Sequence, residues 1–374
     1  MAKVMKAQGP TAAQVLAAYY AAAVERSIEL PAQQWQAGET LVFRLPKAGI
    51  PRYARVRFNG TFSRTDGSTV GTVTASPKYP YNVFSNVQLQ DYSGIERINA
   101  AAYSLYLLSL VKRFGWDPGV TPENESYSAQ VFSASIPAGT ASSTTTAPLI
   151  FDFDVPISLS RNSIRGSFVA AVPEGESTLT LTCNAASGTT IDQPVTTGGG
   201  TTVSITGTVG VTVYFYDVPT NVQIPASEVS VVHELIEVKT SDNLEAGQEK
   251  RYTFPTGRTF YRIIQQLVLN GNMDTQDVTF LRFLVDESTP TLQEYLQSYL
   301  SRIREQYGRD LPTGVFVWDF MNKPWTPGNY GALQVGLTLS NTATTSGYSY
   351  LASLRECLYV AQAQVNLQQA GSNA

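Results

Sequence analysis

The feature that most constrains this chain is one amphipathic helix followed by strand-like sequence, with an echo of that arrangement in the other half. Between Asp286 and Gly331, apolar residues fall at Leu292, Tyr295, Leu296, Tyr299, Leu300 and Ile303. That is the i, i+3, i+4, i+7 spacing of a helix with one buried stripe. Thr289 before Pro290 reads as an N-cap with proline at the first helical position. Gly308 reads as a left-handed stop, and Pro312 blocks any return to helix. The run Gly314–Phe320 is rich in β-branched and aromatic residues, which suits a strand. Leu292, Leu296, Leu300 and Ile303 are therefore expected on the buried face of a helix inserted between strands.

The echo runs from Val87 to Phe114. Asp91-Tyr92-Ser93 parallels Asp286-Glu287-Ser288, and Ser93-x-x-Glu96 has the form of a capping box. Ile95, Ile98, Ala102, Leu105 and Leu108 then supply a stripe for a helix over 94–114. Upstream, Ala37-Gly38-Glu39 parallels Ala246-Gly247-Gln248, Leu45-Pro46 parallels Phe254-Pro255, and Phe58-Asn59-Gly60 parallels Leu269-Asn270-Gly271. No single match is specific, but the shared order is. It implies a duplicated unit of strands, an Asn-Gly hairpin, a strand, a helix and further strands. A longer loop, over 63–82, distinguishes the first copy.

Strand patterns fall at 39–45, 52–62, 83–90, 149–155, 177–183 and 203–216. The second half adds 229–239, 248–254, 259–269, 278–285, 314–320, 331–339 and 349–361. The expected fold class is all-β: two tandem eight-stranded jelly-roll β-sandwiches, each with one inserted helix, plus an N-terminal helix. The expected division is an N-terminal arm and helix at 1–30, a first sandwich at 31–218, a linker at 219–227, a second sandwich at 228–361 and a tail at 362–374. The stretch Ala185–Gly200, rich in Gly, Thr and Ser, reads as an exposed loop. Thr11-x-x-Gln14 caps a retained helix over 11–29 that Leu30-Pro31 stops, the competing reading of 1–26 being a signal peptide. Val15, Leu16, Tyr19, Tyr20 and Val24 give that helix an apolar surface, expected to face a membrane or a neighbouring subunit, the alternative being that it packs against the base of its own sandwiches.

Chemistry is sparse. Charged residues are 15% of the chain, and the net charge of −4 offers no basic footprint for nucleic acid. One histidine and two cysteines are too few for a disulfide framework or a thiolate metal site, and Cys183 and Cys357 read as buried free thiols. His233 lies in strand-like sequence without a nucleophile elbow. Asp152 and Asp154 share one face of a strand, which suits a wet sandwich face as well as a carboxylate pair. Asp274 and Asp277 are the remaining candidate cation ligands, but their run lacks the glycine and glutamate positions of an EF-hand. No catalytic set and no cofactor are expected.

The second half resembles the C-terminal region of tectivirus major capsid proteins. The similarity lies in the helix, then Asp310-Leu311-Pro312-Thr313-Gly314-Val315-Phe316, Asp319, Lys323-Pro324 and Tyr330-Gly331 in that order. Val211–Tyr216, running into Asp217-Val218-Pro219, is similar to the strand and linker between their two jelly rolls. The likeness covers about 210–365 and is only architectural over 30–210. It implies a double jelly-roll coat protein of the lineage that includes the adenovirus hexon. Such a protein forms homotrimeric, pseudo-hexagonal capsomers of an icosahedral bacteriophage shell enclosing a lipid membrane and double-stranded DNA. The implied partners are neighbouring capsomers, minor capsid and vertex proteins, and the internal membrane near the N-terminus. The implied location is the virion, after synthesis in the host cytoplasm. The readings set against it are a secreted two-sandwich carbohydrate-binding protein or glycosidase, and a minor vertex or spike protein.

Overall fold

The computed structural model describes residues 10–112, 132–172, 175–217, 222–241, 244–285, 289–308, 310–327, 332–345 and 347–360. After helix α1 (Ala12–Ala22), the first half carries β1 (Glu25–Trp35), β2 (Thr40–Arg44), β3 (Ile50–Thr65), β4 (Thr72–Ala75), β5 (Phe84–Gln90) and β6 (Glu96–Ala100). Helix α2 (Ala102–Lys112) follows, then β7 (Ser133–Ala134), β8 (Thr144–Pro156), β9 (Thr178–Cys183), β10 (Val195–Gly198) and β11 (Thr202–Tyr216). The second half opens with a short α3 (Ala226–Val229). It continues with β12 (Val231–Thr240), β13 (Glu249–Thr253), β14 (Thr259–Leu269), β15 (Asn272–Met273), β16 (Val278–Val285) and β17 (Thr289–Tyr295). Helix α4 (Leu296–Tyr307), β18 (Val315–Asp319), β19 (Leu333–Leu339) and β20 (Tyr350–Val360) complete it.

These strands form two sandwiches of the same topology. In the first, the sheet β1-β11-β3-β8 faces β2-β9-β5-β6; in the second, β12-β20-β14-β18 faces β13-β19-β16-β17. Each inserted helix joins the last strand of one sheet to the fourth strand of the other. This is the eight-stranded jelly roll, made twice. The inner faces carry the alternation that a half-buried strand requires. Phe58, Phe84, Phe151, Leu179 and Val211 pack in the first core, and Phe283, Leu281, Val335, Phe316 and Trp318 in the second.

One sheet of each sandwich merges into a single nine-stranded sheet, because β12 pairs parallel with β6 through Leu235–Ile98 and Ile236–Asn99. Strand β14 is consequently buried on both faces. Ile263 and Leu267 enter the second core, while Ile264 and Val268 enter the first. Its apolar pairs Ile263-Ile264 and Leu267-Val268 serve both cores, and the buried polar Arg262, Gln265 and Gln266 among them are each hydrogen-bonded.

Several local expectations are corrected. Residues 289–295 are not helical: Pro290 lies in β17, the edge strand of its sheet, where a missing N–H is tolerated. The helix starts at Leu296, and Gly308 ends it in the left-handed conformation (φ 72°). Similarly, Glu96–Ala100 is a strand, and Ser93 is not a cap. Asp91 organises that turn, its Oδ1 accepting from the Ser93 and Ile95 amides at 2.9 and 3.1 Å. The far end of the expected 94–114 helix lies outside the described residues. The N-terminal helix keeps its Thr11–Gln14 capping box but stops at Ala22. Residues 25–35 are instead an edge strand on β11 that passes Leu30-Pro31 through a register shift.

Asn270-Gly271 makes the expected hairpin, with φ of 47° and 77°. Asn59-Gly60 does not: it lies within β3, where Gly60 pairs with Gly207 of β11. A Cβ on Gly60 would come within 2.7 Å of the Phe58 ring and 2.2 Å of the Thr206 carbonyl oxygen. The two glycines leave room for an aromatic side chain to lie over the strands.

Candidate functional site

The junction between the sandwiches concentrates the buried polar chemistry, and helix α2 lies at its centre. Sequence places small and apolar residues along α2, so that it packs on its own sandwich while meeting the back of β14 and β20 in the other. Its N-terminal end is held by Glu237 of β12, whose Oε2 accepts from the Ala101 amide and the Ser104 hydroxyl, both at 2.8 Å. A carboxylate there satisfies an otherwise unpaired helix donor and complements the helix dipole. Gln266 of β14 donates to Ser104 Oγ at 2.6 Å. The C-terminal end is held by Lys112, which pairs with Glu356 of β20 and donates to the Leu159 carbonyl at 3.0 Å.

Glu356 is 1% exposed and also binds Arg262 Nη1 at 2.8 Å and His233 Nε2 at 3.1 Å. Arg262 reaches Asp319 at 3.2 Å, and Tyr307 of α4 donates to the same carboxylate at 2.9 Å. Burial alone would raise the Glu356 carboxyl, but Lys112, His233 and Arg262 together hold it well below the usual carboxylate range. Burial pushes the His233 imidazole down, so the single histidine is kept neutral inside this network. His233 is a structural residue of the junction, not a presented base.

A second clasp lies at the opposite end of β12 and β20. Asp192, in the connection from β9 to β10, accepts from Lys78 Nζ at 2.8 Å and from Lys239 Nζ at 2.6 Å. The hydroxyls of Tyr348 and Tyr350 donate to it at 2.5 Å each. Burial would raise the Asp192 carboxyl, yet these cations and hydroxyls hold it far below its ordinary range. This corrects the reading of Ala185–Gly200 as an exposed loop. Ile191 and Val195 are buried, β10 pairs with β4, and Asp192 binds the other sandwich. The polar composition misleads because its few large residues are the ones that anchor it.

The sequence candidates are spread elsewhere. Tyr19 is buried and Tyr20 half-buried against Ile50, Ile164 and Tyr216, with Tyr20 Oη accepting the Ile164 amide at 3.0 Å. Val15 and Leu16 are half-buried, and Val24 is exposed. On the second helix Leu296 and Ile303 are buried and Leu300 half-buried, while Leu292 lies on β17 and is 36% exposed. Asp274 Oδ1 accepts the Asp277 amide at 2.8 Å, a turn interaction. Among the described residues no group of three His, Cys, Asp or Glu is placed to hold a metal ion, and no helix is long and apolar enough to cross a membrane. Asp154 pairs with Arg55 at 3.0 Å and with Arg161. Cys183 and Cys357 are buried and free. Glu237, Glu356 and Asp192 were missed, because a lone acidic residue in a strand or loop carries no periodic signal.

Comparison with known proteins places the architecture. No family model and no curated protein sequence matches the chain. Among solved structures, that of the STIV major capsid protein superposes with a TM-score of 0.66 at 14% identity, covering 90% of this chain and 97% of that one. A chain from the atomic structure of Sulfolobus turreted icosahedral virus gives 0.65 at 14% identity, covering 90% and 91%. The PBCV-1 virus capsid gives 0.52 at 11% identity, covering 89% and 93%. The fold is the double jelly roll of these major capsid proteins.

Proposed function

We propose that this chain is the major coat protein of an icosahedral virus of the double jelly-roll lineage, acting as a structural protein rather than an enzyme. The observation that carries the reading is the pairing of two topologically equivalent sandwiches, side by side and locked through α2 and a shared sheet. Three such chains supply six similar units. A ring then closes by one repeated heterologous contact, first sandwich of one copy against second sandwich of the next. The outward sheet faces suit such a contact. That of the first sandwich carries Thr178, Thr180, Thr182 and Gln88, while that of the second carries Arg251, Arg282, Phe280 and Tyr295. The superposition with coat proteins over about nine-tenths of the chain supports the same reading.

The finer proposal is a homotrimeric, pseudo-hexagonal capsomer that meets neighbouring capsomers, minor capsid proteins and vertex proteins in the virion. Helix α1 lies at the end of the molecule that holds Glu25, Asp217 and the paired Val231 and Val360. We place that end toward the shell interior, with exposed Val24 and the sequence around Lys3 and Lys6 near an anionic membrane surface. A bacterial host and an enclosed membrane are the narrowest part of the proposal, and rest on the tectivirus-like run Asp310–Gly331. Light scattering on the purified chain tests the assembly. It should return three times the chain mass of 40.6 kDa, and a monodisperse monomer at micromolar concentration overturns the proposal.

A further inference from the structure

Inside the chain the two sandwiches are joined edge to edge. Strand β6, the last of its sheet, runs parallel to β12, the first of the next, and helix α2 then lies against the back of that second sheet. The same two kinds of edge exist once more and stand open. Strand β17 is the last of β13-β19-β16-β17, β1 is the first of β1-β11-β3-β8, and among the described residues neither has a strand on its far side. Ile28 of β1 is 37% exposed although it pairs with buried Val213, and Leu292 of β17 is likewise exposed although it pairs with buried Phe283. The Val24 carbonyl accepts the Asp217 amide at 3.0 Å, so the alternation of the ladder turns the backbone groups of Glu25, Ser27 and Glu29 to the open side. A long edge of that kind is a template for another strand.

The closed and the open edges correspond residue by residue. In the second sandwich a row of directly paired residues runs Leu235, Glu356, Arg262, Asp319 across β12, β20, β14 and β18. In the first, the row Glu29, Thr212, Arg55, Asp154 runs across β1, β11, β3 and β8. Both rows carry an Arg–Asp ion pair on their third and fourth strands, at 3.2 and 3.0 Å. Glu29 is thus the counterpart of Leu235, the residue that receives Ile98 of β6. Leu292 is the counterpart of Ile98. Each precedes its helix start, Leu296 or Ala102, by the same interval, and each pairs with a buried apolar residue of the adjoining strand, Phe283 or Leu89.

We propose that the chain repeats its internal junction between copies. Strand β17 of one copy adds in parallel to the β1 edge of a second copy, and α4 settles on the outer face of that copy's β1-β11-β3-β8 sheet. Leu292 and Gln293 then lie alongside Glu29 and Leu30, as Ile98 and Asn99 lie alongside Leu235 and Ile236. The difference between the two helices fits this arrangement. Helix α2 is almost wholly buried, whereas α4 exposes Gln297, Ser301 and Arg304, and the sheet face that receives it carries Thr212, Arg55 and Arg57. Polar surfaces of that kind suit a contact between subunits that fold separately before they meet. The inference rests on the three-chain reading above and adds to it which strands and which helix make the contact.

The test combines Glu29→Cys and Leu292→Cys in one full chain. Neighbouring strands lie about 4.8 Å apart, within the Cα separation that a disulfide spans. The native Cys183 and Cys357 are buried and stay out of reach. Mild oxidation should link the double variant into a covalent trimer on a denaturing gel without reductant, while each single variant stays at chain mass. Both positions are exposed, so light scattering before oxidation should return the parent's mass for every variant. A three-chain particle that forms no such cross-link overturns the inference and leaves the coat-protein reading standing. Cross-linking through Thr180→Cys and Arg282→Cys instead would put the contact on the outward faces of β9 and β16, and overturns the inference in the same way. A monomeric parent overturns both.

Discussion

Glu237 and Glu356, on adjacent strands of the second sandwich, grip opposite ends of one helix of the first. Glu237 Oε2 lies 2.8 Å from Ser104 Oγ at the start of α2, and Glu356 pairs with Lys112 at its end. The helix is about 16 Å long, so the clamp fixes its position and its direction across the junction. The clamp and the shared sheet tie the two sandwiches together at both ends of α2.

The network around Glu356 predicts an asymmetry. Glu356→Gln removes the buried carboxylate that Lys112, Arg262 and His233 share, and should cost about 3–5 kcal/mol. Lys112→Met should cost less, because Glu356 keeps Arg262 and His233. Midpoints of chemical denaturation for the two variants check the order. A larger loss for Lys112→Met would mean that Glu356 is not the hub.

Asp192 makes the stability pH-dependent in a stated direction. Its folded-state pKa is depressed below an unfolded value of about 3.9. Its contribution is therefore complete above that value and is lost as pH falls through the folded-state pKa. Asp192→Asn should lower the melting temperature at pH 7 and flatten its decline between about pH 5 and 2. Parallel pH curves for the two proteins would contradict the clasp. Deleting 186–199 removes Asp192 together with Ile191 and Val195, and should destabilise the chain rather than trim a loop.

The strands were legible in the sequence because each sandwich buries one face of them, so alternation survived even with polar outer faces. The inserted helices were legible as segments but begin later than their spacing suggests, and the N-terminal one ends sooner. Leu292 and Tyr295 fit the helical stripe by spacing, yet they belong to β17, where a separation of three puts them on opposite faces, Leu292 opposite Phe283 and Tyr295 opposite Phe280. Tertiary pairing with β16 decided the matter. Residues 25–35 lacked a signal because an edge strand exposed on most of its length shows little apolar alternation. The junction was illegible for a different reason. Its members come from β6, α2, β12, β14 and β20, and only the parallel β12–β6 pairing brings them together.

Charge insertion separates the two assignments of that segment. Leu296→Asp buries a carboxylate at a position 7% exposed and should abolish soluble protein, at a cost of several kcal/mol. Leu300→Asp, half-buried, should be milder. Leu292→Asp on the edge strand should be tolerated. Soluble yield and melting temperature across the three give the order, and a severe Leu292→Asp would restore the longer helix.

The central claim, that two locked jelly rolls per chain build a coat-protein capsomer, is tested most directly by electron microscopy of the purified protein. Class averages viewed down the symmetry axis should show a three-fold particle with six lobes in a nearly hexagonal outline. Single two-lobed particles, or rings with another number of chains, would contradict it.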